Sequence, residues 1–466
     1  MSAPVIVLEF NELCPPLMDR FIREGRLPGF KALRDQSATY VTDAEEAPPN
    51  LEPWIQWVTI HTGLPFSQHK VFDLGDAPKL KAPRLWDLAL EAGKKVWICG
   101  SMNAAIKAKP GRAFFMPDPW CSGVKPVPAG EFDTFYRLTS QYVQEHAREK
   151  APWSRMDYIR FLFYMVSHGL SLRTLWAIVT QLARELRSKD FRWRRATLLD
   201  RLQWDLFRHI WKRERPDFST FFLNSTAHFQ HYHWREFEPH LFSSSVSQNH
   251  AKAEARDAIP AGYQMMDRIV QECLSMAPQA TIVLMTALSQ QPLLRYEAEG
   301  GKSIFKPVEH QALMKFAGAD MAYEYAPVMA EEFHLYFEND ENAEKALQAL
   351  SSLELEGQPV MRARRQGREI FAGCGIYTPP APRALVRSRA GNQSMPFDEL
   401  FYPIEGVKSG GHHPDGIFWI HAPGTVYSQA RNKMTLPQAS RTLASLIGVT
   451  FNTASAPPQP VLRAAS

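Results

Sequence analysis

The densest chemistry-bearing stretch of the chain is Asn224-Ser225-Thr226-Ala227-His228-Phe229-Gln230-His231-Tyr232-His233-Trp234. Imidazoles grouped this way can ligate a metal ion, move a proton or contact an anionic substrate, and imidazole is the commonest protein metal ligand near neutral pH. The preceding run, Phe218-Ser219-Thr220-Phe221-Phe222-Leu223, is short, apolar and aromatic, which predicts a buried strand. The histidines therefore fall where a strand ends and the chain turns into a loop or helix. Open α/β sheets bind ligands at such carboxyl ends. A packing patch of His, Tyr, Trp and Phe rings would give the same local pattern, so the rest of the chain has to decide. Other polar groups recur at comparable places. Asn11 and Glu12 follow a strand-like run at residues 5–10, and Gln290 and Gln291 follow another at 280–285. Asn50, Glu52 and Gln56 lie in and after an acidic, proline-rich loop, and His412 and His413 occupy the loop Ser409-Gly410-Gly411-His412-His413-Pro414-Asp415.

The elements that must position these groups alternate between strand and helix. Residues 5–10 read as a first buried strand and residues 17–34 as a helix softened at Gly29. A helix over 54–61 ending at Gly63, a helix over 84–92 and a strand over 95–99 follow, a pattern that favours a parallel α/β sheet. After the histidines come a helix over 251–276, a strand over 280–285 and a final sheet strand over 416–421. The expected organisation is a core in three parts (1–120, 217–311 and 381–454), a helical basic cap over 121–216, a small α+β insertion over 312–380 and a frayed tail over 455–466. Within the insertion, 333–337 and 360–364 read as strands around a helix over 344–350.

Composition narrows the class. A chain of 466 residues, 45% hydrophobic and 22% charged, has the make-up of a globular protein able to bury a large core. Its formal charge of +4 is small, and the basic cap residues Arg184, Arg187, Lys189, Arg192, Arg194, Arg195, Arg201, Arg208, Lys212 and Arg213 are interleaved with acids, so no nucleic-acid partner is expected. The same bases suit a solvated helical cap whose arginines pair with Glu185, Asp190, Asp200, Asp205 and Glu214, or a peripheral contact with a membrane surface or anionic substrate. Five scattered cysteines without CxxC spacing argue against a disulfide framework and a cysteine-based zinc site. With no basic leader before Pro4-Val5-Ile6-Val7-Leu8 and no long uncharged apolar run, a cytoplasmic location is expected.

Read in order, the motifs resemble the alkaline phosphatase superfamily, in its type I phosphodiesterase/nucleotide pyrophosphatase branch. Val5 to Asn11 with Gly25-Arg26-Leu27-Pro28-Gly29-Phe30 and Leu33 is similar to the branch's opening strand and helix. Thr62-Gly63-Leu64-Pro65 with His69 resembles the turn after its nucleophile helix, and Thr226 to Trp234 its Thr-Asp-x-x-Gln-His-x-x-Trp segment. Tyr263 and Asp267 resemble the helix before its next strand, and Gly411 to Gly416 its Gly-x-His-x-Pro-x-Gly loop. The resemblance implies an alkaline-phosphatase-like three-layer α/β sandwich around a mostly parallel sheet, with a helical cap insertion and a small α+β insertion. It also implies two-metal phosphoryl transfer with a metal-activated Thr or Ser.

The ligand set departs from that pattern. His231 and His412 stand where the branch has metal-binding histidines, but Ala227 replaces an Asp, Asn11 replaces an Asp, and Thr286-Ala287-Leu288-Ser289 replaces a Ser-Asp-His-Gly segment. From Asp43 through Val58 there is neither Ser nor Thr. A standard two-zinc site cannot be assembled from these residues, because divalent ions need anionic or lone-pair ligands.

Two functions remain open. One is a rebuilt phosphodiesterase- or phosphatase-like hydrolase of a small phosphorylated or nucleotide-like substrate. In it, at most one divalent metal (zinc or manganese) is held by His231, His412 and a carboxylate, Glu12 or Glu52, with Asn11 as a further oxygen ligand. Glu52 and His228 are its candidate catalytic groups. Glu12, Asn50, Gln56, Asn224, His233, Gln290 and His413 are its candidate substrate contacts. A metal-free version would use a His as base and a Glu as nucleophile. The other function is a catalytically inactive binding or regulatory module on the same fold. Glu52 also suits a purely structural role as a carboxylate at a helix N-terminus.

Overall fold

The computed structural model describes residues 3–107, 109–121, 123–143, 153–243, 255–327, 331–425, 427 and 432–451. The tail over 455–466 and the start of the helix expected from 251 lie outside the described residues.

Eight strands form the central sheet, in the order Asn432–Thr435, Ala38–Asp43, Asp415–His421, Thr281–Met285, Val5–Phe10, Phe218–Leu223, Val96–Cys99, Ala113–Met116. Asp415–His421 is antiparallel to both of its neighbours, and every other pair is parallel. The central strands are apolar on both faces because both faces are covered, as parallel sheets require. Side chains alternate between layers. Ile6, Leu8 and Phe10 pack with Phe21, Phe30, Phe207 and Tyr263 on one side. Val5 and Val7 pack with Trp57, Trp86 and Leu443 on the other. The molecule is thus a three-layer α/β sandwich around a mostly parallel sheet. A third apolar cluster, including Phe305, Leu335, Leu350, Ile370 and Phe401, forms a separate core beneath the antiparallel sheet of Phe333–Phe337, Met361–Gln366 and Glu369–Cys374, with the helix Asp340–Ser351 packed on it.

The element expectations hold in kind and shift at the edges. The helix expected over 17–34 is two helices, Pro15–Arg23 and Pro28–Asp35. Gly25 takes a left-handed φ of 70° between them and Pro28 opens the second, so the break falls before Gly29 rather than at it. Gly29 has a different task. A Cβ there would lie 2.5 Å from the Asp267 carbonyl oxygen, so glycine lets this helix approach the helix Ala258–Met276, and Asp267 Oδ1 accepts the Phe30 N–H at 2.7 Å. In the segment expected to form a cap, Arg195, Arg208 and Arg213 pair with Glu185, Asp205 and Glu214 as the pairing reading expects. Asp190 and Asp200 instead accept from the hydroxyls of Ser188 and Ser225.

His69 illustrates a buried histidine with a structural task. Its Nδ1 accepts the Val71 N–H at 3.0 Å, so the proton sits on Nε2, 3.1 Å from Thr59 Oγ1. Burial pushes its pKa down to about 4. Because the folded value lies below the unfolded one, the contribution is fully present above about pH 6.5. It falls as pH drops towards 4 and is constant below that, with a ceiling of about 3 kcal/mol. Urea unfolding between neutral pH and pH 4.5 is expected to show a shallower loss of stability in His69→Gln than in the wild type. Equal slopes would contradict the assignment.

Candidate metal and substrate site

The site gathers at the carboxyl edge of the sheet. The first strand, Val5–Phe10, ends into Asn11 and Glu12, and Glu12 takes a left-handed φ of 57° that turns its side chain across the strand ends. The next strand over, Phe218–Leu223, leads through Asn224 directly into the helix Ser225–Phe237, so the histidine stretch is helical. The strand before Asp415–His421, Gly410–His413, pairs antiparallel with Ser289–Pro292 and brings His412 opposite Gln290. Three chain segments far apart in sequence are thereby brought to one carboxylate.

That carboxylate is Glu12. It is 2% exposed, with its Oε2 3.2 Å from His231 Nε2 and 3.4 Å from His412 Nε2. The opposite nitrogen of each ring faces a backbone carbonyl, His231 Nδ1 at 3.0 Å from Gly410 O and His412 Nδ1 at 2.8 Å from Leu51 O. A carbonyl only accepts, so each Nδ1 carries the proton and donates. In the neutral ring, that leaves each Nε2 with a lone pair directed at the carboxylate oxygen. This is the outer-partner arrangement that orients metal-binding histidines. The spacing agrees as well, since donors about 2.1 Å from a tetrahedral ion stand about 3.4 Å apart. The donor set of one carboxylate and two imidazoles therefore fits a single divalent ion.

The three groups are electrostatically coupled, and without an ion His412 is the ring that favours a proton beside the carboxylate. Burial raises the Glu12 carboxyl, but His412 and His231 more than offset it and hold the group well below the usual carboxylate range. Burial lowers His231 to about 4, with the nearby Lys408 adding to the effect. For His412 burial also lowers, but Glu52 and Glu12 outweigh it and the net direction is upward.

The surrounding polar groups fix Glu12 in place. Asn11 Nδ2 donates to Glu12 Oε1 at 2.7 Å and to Asn224 Oδ1 at 2.7 Å, while Asn11 Oδ1 accepts from Trp57 Nε1 at 2.8 Å. Asn11 is thus not placed as the oxygen ligand expected of it, because its oxygen is engaged by the indole and its amide orients the carboxylate. Gln290 Nε2 donates to Glu12 Oε2 and, at 3.0 Å, to Ala227 O. Gln230 Nε2 donates to the Glu12 backbone carbonyl at 2.7 Å, and its own Oε1 accepts from the Tyr263 hydroxyl at 2.8 Å.

Of the other expected site residues, Glu52 comes close and several do not. Glu52 occupies the N-cap position of the helix Pro53–Thr62 without a side-chain capping bond; instead its Oε2 lies 3.5 Å from His412 Nδ1. Burial raises its pKa, with His412 and Lys408 opposing. The capping role is therefore not what its side chain does, and of the two carboxylates weighed as ligands it is Glu12 that groups with both imidazoles. Asn50 donates to Glu46 at 3.2 Å, and its carbonyl accepts from Gln56, whose Oε1 is buried without a partner. His228 packs against Tyr232, and His233 lies 3.9 Å from Glu236, so neither joins the Glu12 group. His413 Nδ1 accepts the Asp415 N–H at 3.2 Å and closes the loop.

Lys408 and Trp57 were not anticipated. Lys408 ends the strand Phe401–Lys408 and is the cation whose field reaches His231, His412 and Glu52. No local motif marks it. Trp57 carried only the signal of an aromatic in an apolar helix.

A second cluster, Asp73, His334 and Glu369, also brings ligand-type atoms together. There the carboxylates already have cations. Arg364 pairs with Asp73, Lys79 lies 3.2 Å from Glu369, and His334 Nδ1 lies 2.6 Å from Glu369. Its donor set fits an ionic tie between the loop around residue 73 and the insertion's sheet.

No protein-family model matches the chain, and no curated protein matches it. Among solved structures it is similar to a phosphonoacetate hydrolase from Sinorhizobium meliloti 1021 in complex with phosphonoacetate, at 14% identity over 96% of each chain with a TM-score of 0.44. It is also similar to murine ectonucleotide pyrophosphatase/phosphodiesterase 5, at 9% identity over 97% of each chain with a TM-score of 0.43. The human counterpart gives 9% identity over 97% of this chain and 96% of that chain, with a TM-score of 0.42. At these identities and scores, the activity and ligands of this chain have to be argued from its own residues.

Proposed function

We propose that this chain is a hydrolase of small phosphate esters or diesters built on a one-metal site, with Glu12, His231 and His412 holding zinc or manganese. The observation that carries the reading is the pair of Nδ1–H donations to Gly410 O and Leu51 O, which commits both Nε2 atoms to one carboxylate oxygen. A bound divalent ion would supply Lewis-acid polarisation of a phosphoryl oxygen and a local positive charge. The ligand shell carries one carboxylate, so a net positive centre would face the substrate, and Lys408 adds a second positive charge for an anionic group.

With no hydroxyl residue between Asp43 and Val58, the nucleophile is water rather than a side-chain hydroxyl. Glu52 is the base: it lies beside His412 at the rim of the cluster and its carboxyl is raised towards the range useful for proton transfer. Glu52→Gln is expected to lower kcat by about 100-fold or more while leaving metal content unchanged. The check is hydrolysis of nitrophenyl phosphate mono- and diesters in added zinc or manganese, with metal analysis of both proteins. Undiminished turnover in the variant would remove Glu52 from the mechanism. Loss of turnover together with loss of metal would make Glu52 a ligand instead.

Absence of hydrolysis in the wild type across both ester classes, with ligand binding retained, would support the binding-module reading. The missing Thr or Ser nucleophile favours that alternative.

A further inference from the structure

The cap contains a helix that is inside out. In Leu172–Arg187 the apolar residues Leu172, Leu175, Trp176, Val179, Leu182 and Leu186 recur at helical spacing and form one stripe. Such a stripe ordinarily faces the core. Here Leu172 is 84% exposed, Trp176 69% and Leu186 89%, whereas the polar Thr174 and Gln181 are buried at 2% and 3%. Gln181 is satisfied on the protein side, donating to Glu185 Oε1 at 2.9 Å and to Phe191 O at 2.8 Å. The preceding helix, Arg155–Ser167, buries Phe161 and Met165 in the ordinary way, yet it also leaves Met156, Ile159, Phe163 and Val166 exposed. Among the described residues, twelve of the fifteen exposed large apolar side chains lie between Met156 and Leu186. That concentration exceeds what a solvated surface carries and marks a docking face.

The charges beside it select the occupant. Arg155, Arg160, Arg173, Arg184 and Arg187 are exposed along the same two helices, with Lys189 just beyond the second, while Asp157 and Glu185 are tied to Arg137 and Arg195. A second copy of the chain would bring the same cations face to face across a two-fold interface. A bilayer with anionic headgroups pairs with the cations and takes up the apolar stripe, and Tyr158 and Trp176 are side chains suited to the headgroup level. Neither helix spans a membrane. The longer one, of 16 residues, extends about 24 Å, short of the roughly 30 Å hydrocarbon core, and no described helix is long and apolar enough to cross.

We infer that the helices Arg155–Ser167 and Leu172–Arg187 seat this protein on the surface of an anionic lipid bilayer, with the apolar stripe sunk into the headgroup boundary. This inference stands apart from the metal site and needs no activity to be tested.

The experiment is flotation of the full chain with vesicles of phosphatidylcholine alone and of phosphatidylcholine and phosphatidylglycerol in equal parts. The wild type is expected to float with the mixed vesicles and to bind pure phosphatidylcholine at least about tenfold more weakly. The double variant Trp176→Glu, Leu182→Glu should lose at least about tenfold in affinity for the mixed vesicles. Its thermal unfolding should match the wild type, because both side chains are exposed. Arg184→Gln with Arg187→Gln should weaken binding to the mixed vesicles by roughly fivefold per charge and leave binding to pure phosphatidylcholine unchanged. Failure of the wild type to float with the mixed vesicles, or equal flotation of the Trp176/Leu182 variant, would overturn the inference. So would a wild-type dimer in solution that the same variant dissociates, since the stripe would then be a self-interface.

Discussion

Glu12→Gln is expected to lower the affinity for zinc or manganese by more than about 100-fold, a loss greater than outer-partner changes produce. Glutamine keeps nearly the volume of the carboxyl and can still bond Asn11, so the fold should survive. What disappears is the single negative charge towards which both Nε2 atoms are directed. Without it a divalent ion would be held by two neutral imidazoles, which suits neither the charge nor the ligand count of a protein zinc site. Competition against a chromophoric chelator measures the change directly. Metal binding as tight as in the wild type would show that the ion, if bound, sits elsewhere.

Gly410→Ala is expected to damage the site and the fold together. A Cβ there would lie 2.3 Å from the Gln230 carbonyl oxygen and 2.5 Å from Gln290 Oε1, and the first of these is backbone that cannot swing away. The clash falls on the strand whose carbonyl accepts from His231 Nδ1 and whose neighbour, Ser409, donates its N–H to the His231 carbonyl at 2.6 Å. Overpacking of this kind costs about 1–3 kcal/mol. Displacing the acceptor that fixes the His231 tautomer should also weaken metal binding by about 10- to 100-fold. Denaturant unfolding and chelator competition on the same protein separate the two effects. A variant as stable as the wild type, with unaltered affinity, would mean that the loop shifts freely and does not position His231.

The sequence displayed the centre of the sheet because buried parallel strands are short apolar runs, and Val5–Phe10, Phe218–Leu223 and Thr281–Met285 each stand out against their flanks. The strands Ala38–Asp43, Ala113–Met116 and Asn432–Thr435 were not read from it. Helix ends were harder. Residues 15–35 carry one continuous apolar period, and only the left-handed Gly25 with Pro28 splits them. In the site, His231 and His412 were marked by their motifs, but Glu12 was one of two candidate carboxylates. Its reach depends on a left-handed backbone at a non-glycine residue, which composition does not reveal. Asn11 was read as a ligand because an amide oxygen can coordinate, and the indole of Trp57, 46 positions away, is what claims that oxygen. The helix Leu172–Arg187 shows the opposite limit. The apolar stripe of Leu172–Arg187 is visible in the sequence, but its outward direction is set by what Thr174 and Gln181 find on the inner side.

The central claim is that Glu12, His231 and His412 bind one divalent ion. The most direct test is metal analysis of the wild type, purified without chelator or a histidine tag, beside His231→Ala, His412→Ala. About one zinc or manganese per chain in the wild type, absent from the double variant, is the result this account predicts. No bound metal in the wild type after incubation with excess ion, or equal metal in both proteins, would contradict it.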